Sequence, residues 1–336
     1  MSHFTKKQVI EKITGLTTIS IAKNDIVNVN EQAGGLLNYV FRVETKKGLF
    51  FLKQFLQELK HKAFRDIETD CKDRLKLAYE AMVIFAEKSN GQRNIISHVF
   101  EYNLNEGYLI IEGFDNVLPL FDRIKVADFT NNCLRGVAKS IAQVHQGTYE
   151  VENKNFNLYN NFLDLKLKYQ YYKMAEMIEE KSCSKVLKEF ADRYKSKRHC
   201  LVHGDLHSRN IFIVDGEKGF NIIDFEDAHI GHPSFDLGYI LSEYFIARSY
   251  FNKNKEVNKV MKDFLEEYFK YFTKEDRVSV EKEVTLHTAS LIMFRLFGLS
   301  KDSFTAYIDN NEVKEKLKAY VINMIKLSDN PISKFI

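Results

Sequence analysis

The hydrophobic period of the chain changes partway along its length, and that change limits the fold more than any single motif does. Up to about residue 114, apolar residues cluster in short β-branched and aromatic runs. Asn38 to Val43, a Thr45-Lys46-Lys47-Gly48 turn and Leu49 to Phe55 predict a hairpin with Lys53 inside its second strand. Leu75, Ala78, Met82 and Phe85 recur at helical spacing and predict one helix to about Lys88. A second hairpin is predicted from Ile95 to Tyr102 and from Tyr108 to Glu112. From about Asp115 the period is helical: Val137, Ala138, Ile141 and Ala142, then Phe162, Leu165, Tyr169 and Tyr172, then stretches at Leu237 to Arg248, Val257 to Phe272 and Leu286 to Phe297. A sheet face and helix stripes must each be buried, so the expectation is an α+β chain: residues 1–114 form a small antiparallel-sheet lobe with one main helix, and residues 115–336 a larger, mainly helical lobe.

Composition narrows the function. The chain has 336 residues and 45% hydrophobic content, enough to bury a full core. Lys and Arg number 49 against 46 Asp and Glu, a net charge of +3, so no strong field directs the chain to nucleic acid or to an acidic membrane surface. Cys71, Cys133, Cys183 and Cys200 lack metal-ligand spacing and read as reduced thiols. No apolar run reaches the roughly 20 residues that span a bilayer, and the N-terminal stretch mixes Lys6, Lys7, Glu11 and Lys12 among apolar residues. A cytoplasmic protein is expected.

One β-rich island interrupts the helical part. It reads His203-Gly204-Asp205-Leu206-His207-Ser208-Arg209-Asn210, then Ile211 to Val214, an Asp215-Gly216 turn, and Ile222-Ile223-Asp224-Phe225-Glu226. Phosphoryl transfer needs a carboxylate to orient the attacking hydroxyl and take its proton, and hard oxygens to hold Mg²⁺ against nucleotide phosphates. Asp205, in a tight loop after a short strand, suits the base; Asn210 and Asp224, brought together by a hairpin, suit the metal. Glu226 is a further candidate for a metal or water contact, being two residues beyond Asp224. His203 and His207 suit hydrogen-bonded support of the loop, and Asp236 suits a brace for that loop or a helix cap.

The sequence H-G-D-L-H-S-R-N followed by I-D-F-E resembles the paired motif of aminoglycoside phosphotransferases, choline kinases and their relatives, which share the protein-kinase fold. The resemblance implies ATP and Mg²⁺ as cofactors, with Asp205 as catalytic aspartate and Asn210 and Asp224 as metal ligands. It also implies a nucleotide site in the first lobe. Gly34, Gly35 and Asn38 lie where a phosphate-covering loop belongs, and Lys53 where a kinase places the lysine that contacts the α- and β-phosphates. Glu80 is the expected ion-pair partner of Lys53, with Glu68 as competitor. Glu112 and Phe114 fall at the adenine-binding hinge, their backbone groups facing the base, and His145 reads as a satisfied core histidine.

The implied activity is transfer of the γ-phosphate of ATP to a hydroxyl of a small molecule: an amino alcohol, sugar, thiosugar or aminoglycoside. H-G-D in place of H-R-D, no A-P-E element, and only about ten residues between Glu226 and Asp236 leave no room for an activation loop, which argues against a protein kinase. A pseudokinase-type nucleotide-binding protein is the other alternative. A helical insert at Phe156 to Glu180 is expected to wall a small-molecule pocket. Glu226, Asp227 and acids of the helical lobe suit a cationic amine, whereas a faint likeness to methylthioribose kinases, including Arg295, suits a sugar; both remain open.

Overall fold

The computed structural model describes residues 2–33, 37–61, 69–89, 95–130, 133–149, 162–214, 219–299, 301, 305 and 307–336. The first part is a five-stranded antiparallel sheet in the order β1-β2-β3-β5-β4, built from β1 (Ile26–Glu31), β2 (Tyr39–Thr45), β3 (Gly48–Gln54), β4 (Val99–Asn103) and β5 (Tyr108–Gly113). Both predicted hairpins are present, with Val40 opposite Lys53 in one and Tyr102 opposite Leu109 in the other. Helix α1 (Lys6–Thr14) covers one face of the sheet, its Val9 and Ile13 packing on Phe41, Val43, Phe50 and Leu52. Helix α2 (Cys71–Lys88) starts where the Asp70 carboxylate accepts the Lys72 and Asp73 N–H groups, at 2.7 and 3.1 Å. Neither α1 nor β1 was anticipated. Only Val9 and Ile13 of α1 and Val29 of β1 are buried, too few apolar positions to establish a period.

The chain leaves β5 and at once joins the second part. Strand β6 (Leu118–Pro119) pairs with β8 (Ile211–Val214), which forms a hairpin with β9 (Gly219–Ile222). A separate ladder joins β7 (Cys200–Val202) to β10 (His229–Gly231). Around these strands lie α3 (Leu120–Ile124), α4 (Cys133–Gly147), α5 (Phe162–Leu167), a π-helical turn (Lys168–Tyr172), α6 (Lys173–Glu176) and α7 (Lys181–Lys195), then α8 (Ser234–Phe251), α9 (Asn254–Phe269), α10 (Lys274–Phe297) and α11 (Asn311–Lys326). Helix α8 has almost no polar face: Ser234 through Ala247 are all buried, as expected of a helix at the centre of a bundle. Helix α10 is longer than its apolar stretch alone predicts, because Thr273 caps it by accepting the Asp276 N–H at 3.1 Å. Among the described residues, no helix is long and apolar enough to cross a membrane.

Helix α2 belongs to both cores. Its Leu75 and Ala78 pack with Phe55 and Leu109 under the sheet, while Ala81 and Phe85 join the main core of the helical part. Phe85 meets the Phe225 ring edge-on at 5.0 Å, so the helix between the lobes is seated directly on the D-F-E segment.

The loop after β7 needs Gly204. Its φ is +79°, and a Cβ there would run into the Asp227 carbonyl oxygen. Gly204→Ala is expected to lower unfolding stability by about 3 kcal/mol, read as a reduced denaturant midpoint at unchanged slope. Beneath that loop His229 is buried, Nε2 against the Tyr194 hydroxyl (2.9 Å) and Nδ1 against the Asp227 carbonyl (2.9 Å). Burial pushes its pKa down to about 4, so it folds neutral and its stabilisation, complete above pH ~6.5, is lost as pH falls toward 4. A His229→Gln variant removes that dependence. Between pH ~6.5 and ~4 its stability relative to wild type is expected to improve by about 1.4 kcal/mol per pH unit, measured by denaturant titration at each pH.

Candidate active site

The loop carrying Asp205 is held from below. Asp236, at the start of α8 and fully buried, accepts the N–H of His203 (2.8 Å) and of Gly204 (3.0 Å). His145 in turn approaches Asp236 with Nε2 (3.2 Å) and the Tyr268 hydroxyl with Nδ1 (2.8 Å), which is the satisfied core histidine expected of it. Burial works to raise the Asp236 carboxyl, but these hydrogen bonds and the neighbouring imidazoles hold it below the usual carboxylate range. His203 accepts the Asp205 N–H at Nδ1 (3.2 Å) and donates from Nε2 to the Ile223 carbonyl (2.9 Å), tying the loop to the strand end before Asp224. A second brace comes from α8 and α10. Glu243 accepts the Ser208 N–H (3.1 Å) and pairs with Arg295 at 2.9 Å, so Arg295, fully enclosed, supports the loop from behind.

Asp205 lies among cations and donors. The Asn210 amide nitrogen donates to the Asp205 carbonyl (3.0 Å), with its carboxylate at 3.4 Å, and His207 Nε2 stands 3.2 Å from Asp205 Oδ2. The Lys166 ammonium lies 2.8 Å from Asp205 Oδ1, 3.0 Å from Asp227 Oδ2 and 3.0 Å from the Tyr239 hydroxyl. Burial alone would raise the Asp205 carboxyl, but Lys166 and His207 hold it well below the usual range, so it stays a carboxylate near neutral pH. Burial disfavours the Lys166 ammonium, yet Asp205 and Asp227 outweigh it and hold that lysine well above its ordinary value.

The second half of the site joins the two parts of the chain. Asp224 has the left-handed backbone φ of 70°, unusual for a residue with a Cβ, in the sharp turn between β9 and the single 3₁₀ turn Phe225–Asp227. Lys53, from the middle of β3, donates to Asp224 and lies 3.2 Å from Glu226. Asn38 donates its amide to Glu226 and accepts from Arg74 at 2.6 Å, and Arg74 also donates to the Leu56 carbonyl. Burial would lower the Lys53 pKa, but the Asp224 and Glu226 carboxylates outweigh it and raise it. Glu226 is pushed up to about 8, first by burial and then by the neighbouring Asp224 carboxylate. Asp227 is pushed up to about 6, chiefly by burial.

Asp205, Asn210, Asp224, Lys53, Asn38, Glu226 and Asp227 therefore meet in one polar region. Glu80 does not join it: Lys53 pairs with Asp224 and Glu226, and Glu80 pairs with Lys76 at 3.8 Å, one turn along the solvent side of α2. The helix turns Arg74 inward instead, so the acid facing the lysine comes from the D-F-E segment. Gly34, Gly35 and Glu68 lie outside the described residues. Glu112, the next-to-last residue of β5, donates its N–H to the His98 carbonyl (2.8 Å), so that N–H is already engaged; Phe114 follows directly after the strand. Lys166, Gln170, Tyr239 and Arg74 carry no motif. The single advance signal was that Lys166 and Gln170 fall in the insert expected to wall a pocket.

Asn210 and Asp224 supply hard oxygens of the kind Mg²⁺ prefers, on two backbone segments joined by the Ile223 N–H to Asn210 carbonyl bond at 3.0 Å. Among the described residues, no group of three His, Cys, Asp or Glu side chains is arranged to hold a metal ion.

Residues 126–276 match the model of the phosphotransferase enzyme family. No curated protein matches the sequence. Among solved structures, the choline kinase of Cryptosporidium parvum is similar at a TM-score of 0.55 with 16% identity over 96% of each chain. A spectinomycin phosphotransferase in complex with ADP and spectinomycin is similar at 0.55 with 13% identity, covering 98% of this chain and 99% of the other. The choline kinase of Streptococcus pneumoniae is similar at 0.50 with 15% identity, covering 96% and 99%. At such identities the likeness is one of fold. The chain thus has the protein-kinase-like fold of these enzymes, and its resemblance to the aminoglycoside phosphotransferase and choline kinase-like superfamily, first visible in residues 203–226, is borne out.

Proposed function

We propose that the chain is an ATP-dependent small-molecule kinase that moves the γ-phosphate of ATP to an acceptor hydroxyl. The observation that carries this is the meeting of Lys53, from the sheet, with Asp224 and Glu226, from the segment after β9, within the same polar region as Asp205 and Asn210. In this reading residues 1–114 bind the nucleotide, with Lys53 on its phosphates, Asn38 beside them, and Glu112 and Phe114 at the base; residues 115–336 bind the acceptor. Asn210 and Asp224 would hold Mg²⁺, which supplies charge stabilisation to the phosphates. The match of residues 126–276 to a phosphotransferase family supports the assignment at the level of reaction class.

Asp205 is the base. The acceptor hydroxyl gives its proton to the carboxylate as its oxygen forms the new P–O bond and the bond to the ADP oxygen breaks. The Lys166 and His207 contacts keep that carboxylate deprotonated, and the Asp236 brace keeps it in place. Glu226, shared between Lys53 and Asn38, positions the lysine, the task expected of Glu80.

Asp205→Ala is expected to lower kcat by about 10²- to 10⁴-fold while ATP binding, followed calorimetrically, is retained. Near-normal turnover in that variant would remove Asp205 from the mechanism. Lys53→Met should weaken ATP binding about tenfold or more, since a charge-assisted phosphate contact is lost, with the unfolding midpoint measured in parallel. Unchanged ATP affinity would place the nucleotide elsewhere.

A further inference from the structure

At Asp205 Oδ1 the insert contributes Lys166 and, beyond it, Gln170, and of these the proposed proton transfer uses only Lys166. Lys166 ends helix α5 and Gln170 sits in the π-helical turn that follows, a local widening of the helix frequently found at functional sites. The Tyr239 hydroxyl, from α8, accepts from both, at 3.0 Å from Lys166 Nζ and 2.6 Å from Gln170 Nε2. Gln170 is 5% exposed, yet its side-chain carbonyl oxygen has no hydrogen-bond partner among the described residues. A buried amide oxygen left unpaired costs free energy and marks a place where a donor is missing. The Tyr239 ring also lies against the Lys166 ammonium, 5.2 Å from its centroid, which limits where that cation can move.

Resting on the kinase reading, we infer that Lys166, Gln170, Tyr239 and Asp227 form the acceptor subsite, and that it takes an uncharged polyhydroxy compound, a sugar or polyol, over a cationic amine. Charge decides the class. Both carboxylates that could receive an ammonium, Asp205 and Asp227, already share the Lys166 ammonium, and the acid beyond them, Glu226, is shared by Lys53 and Asn38. A cationic acceptor would have to share Asp205 or Asp227 with the half-buried Lys166 ammonium. An anionic acceptor fares no better, because it would have to lie beside the Asp205 and Asp227 carboxylates. Neighbouring hydroxyls fit both needs at once: one donates to the Gln170 amide oxygen, while others accept from Lys166 and the Tyr239 hydroxyl. The hydroxyl that reacts is the one that reaches Asp205.

The test uses the full chain with Mg-ATP and two sets of acceptors: ribose, glucose, sorbitol and myo-inositol against choline, ethanolamine and kanamycin. ADP release gives kcat/KM, and saturation-transfer NMR gives acceptor binding without turnover. A neutral member is expected to bind and to be phosphorylated with the higher kcat/KM. Gln170→Leu should lower kcat/KM for that acceptor about tenfold or more, with KM for ATP unchanged. Gln170→Glu, which keeps the shape and adds a negative charge, should shift the amine-to-polyol ratio of kcat/KM about tenfold or more toward amines. A wild-type preference for an amine overturns the inference and leaves the kinase reading intact, as does a protein that binds ATP but neither binds nor phosphorylates any neutral compound. A Gln170→Leu variant indistinguishable from wild type also overturns it. Gln170-dependent binding of a neutral compound without any ADP release would instead sink the kinase reading and keep the subsite.

Discussion

A lysine in a strand and two carboxylates in a turn, residues far apart in the chain, hold the two parts of this molecule in register. Lys53 and Asp224 are half-buried beside the buried Glu226, and withdrawing an ammonium from water is costly unless close carboxylates repay it. Two of them do, and Arg74 and Asn38 complete the group by closing the far side of Glu226. The sheet and the helical part can therefore approach in only a narrow range of ways. A shift large enough to separate Lys53 from Asp224 and Glu226 would leave the half-buried ammonium without either carboxylate. The requirement that fixes the lobes is thus the same one that assembles the candidate phosphate site.

The rest of the site is arranged to keep that geometry under load. Asp205 and Asp224 both sit in tight turns, one following a glycine at φ +79° and the other itself at φ 70°. Turns of this kind persist only when surrounding groups over-determine them. Asp236, Glu243 and His203 supply that constraint, each binding backbone N–H or carbonyl groups of the loop or of the strand beside it. Helix α8 carries two of the three and is buried nearly all round, so the loop is anchored to the centre of the helical core.

Much of this is legible in the sequence. The hairpins around Lys53 and Tyr108, helix α2 and the strands flanking 203–226 are local objects, each announced by a period or a turn within a few residues. The Asp205, Asn210 and Asp224 spacing is local in the same sense. Helix α1 and strand β1 were silent because one-sided, lightly buried elements carry few apolar positions. Glu80 was a reasonable partner for Lys53 from its place on α2, but the rotation of that helix is set by Phe85 and Leu75 seeking two different cores. That rotation turns Arg74 inward and Glu80 toward Lys76.

The sequence by itself determined the kinds of element, their order, and the identity of the oxygen-bearing residues around 203–226, because each depends on residues close together in the chain. Only the tertiary structure decided which charges face one another. Whether Asp205 and Asp227 are open to an incoming cation or already taken depends on Lys166, 39 and 61 residues earlier in the chain, on a helix whose direction nothing local specifies. Pairing across such distances is set by how the cores pack and by the cost of burying a charge alone, and neither is written in any single stretch of chain.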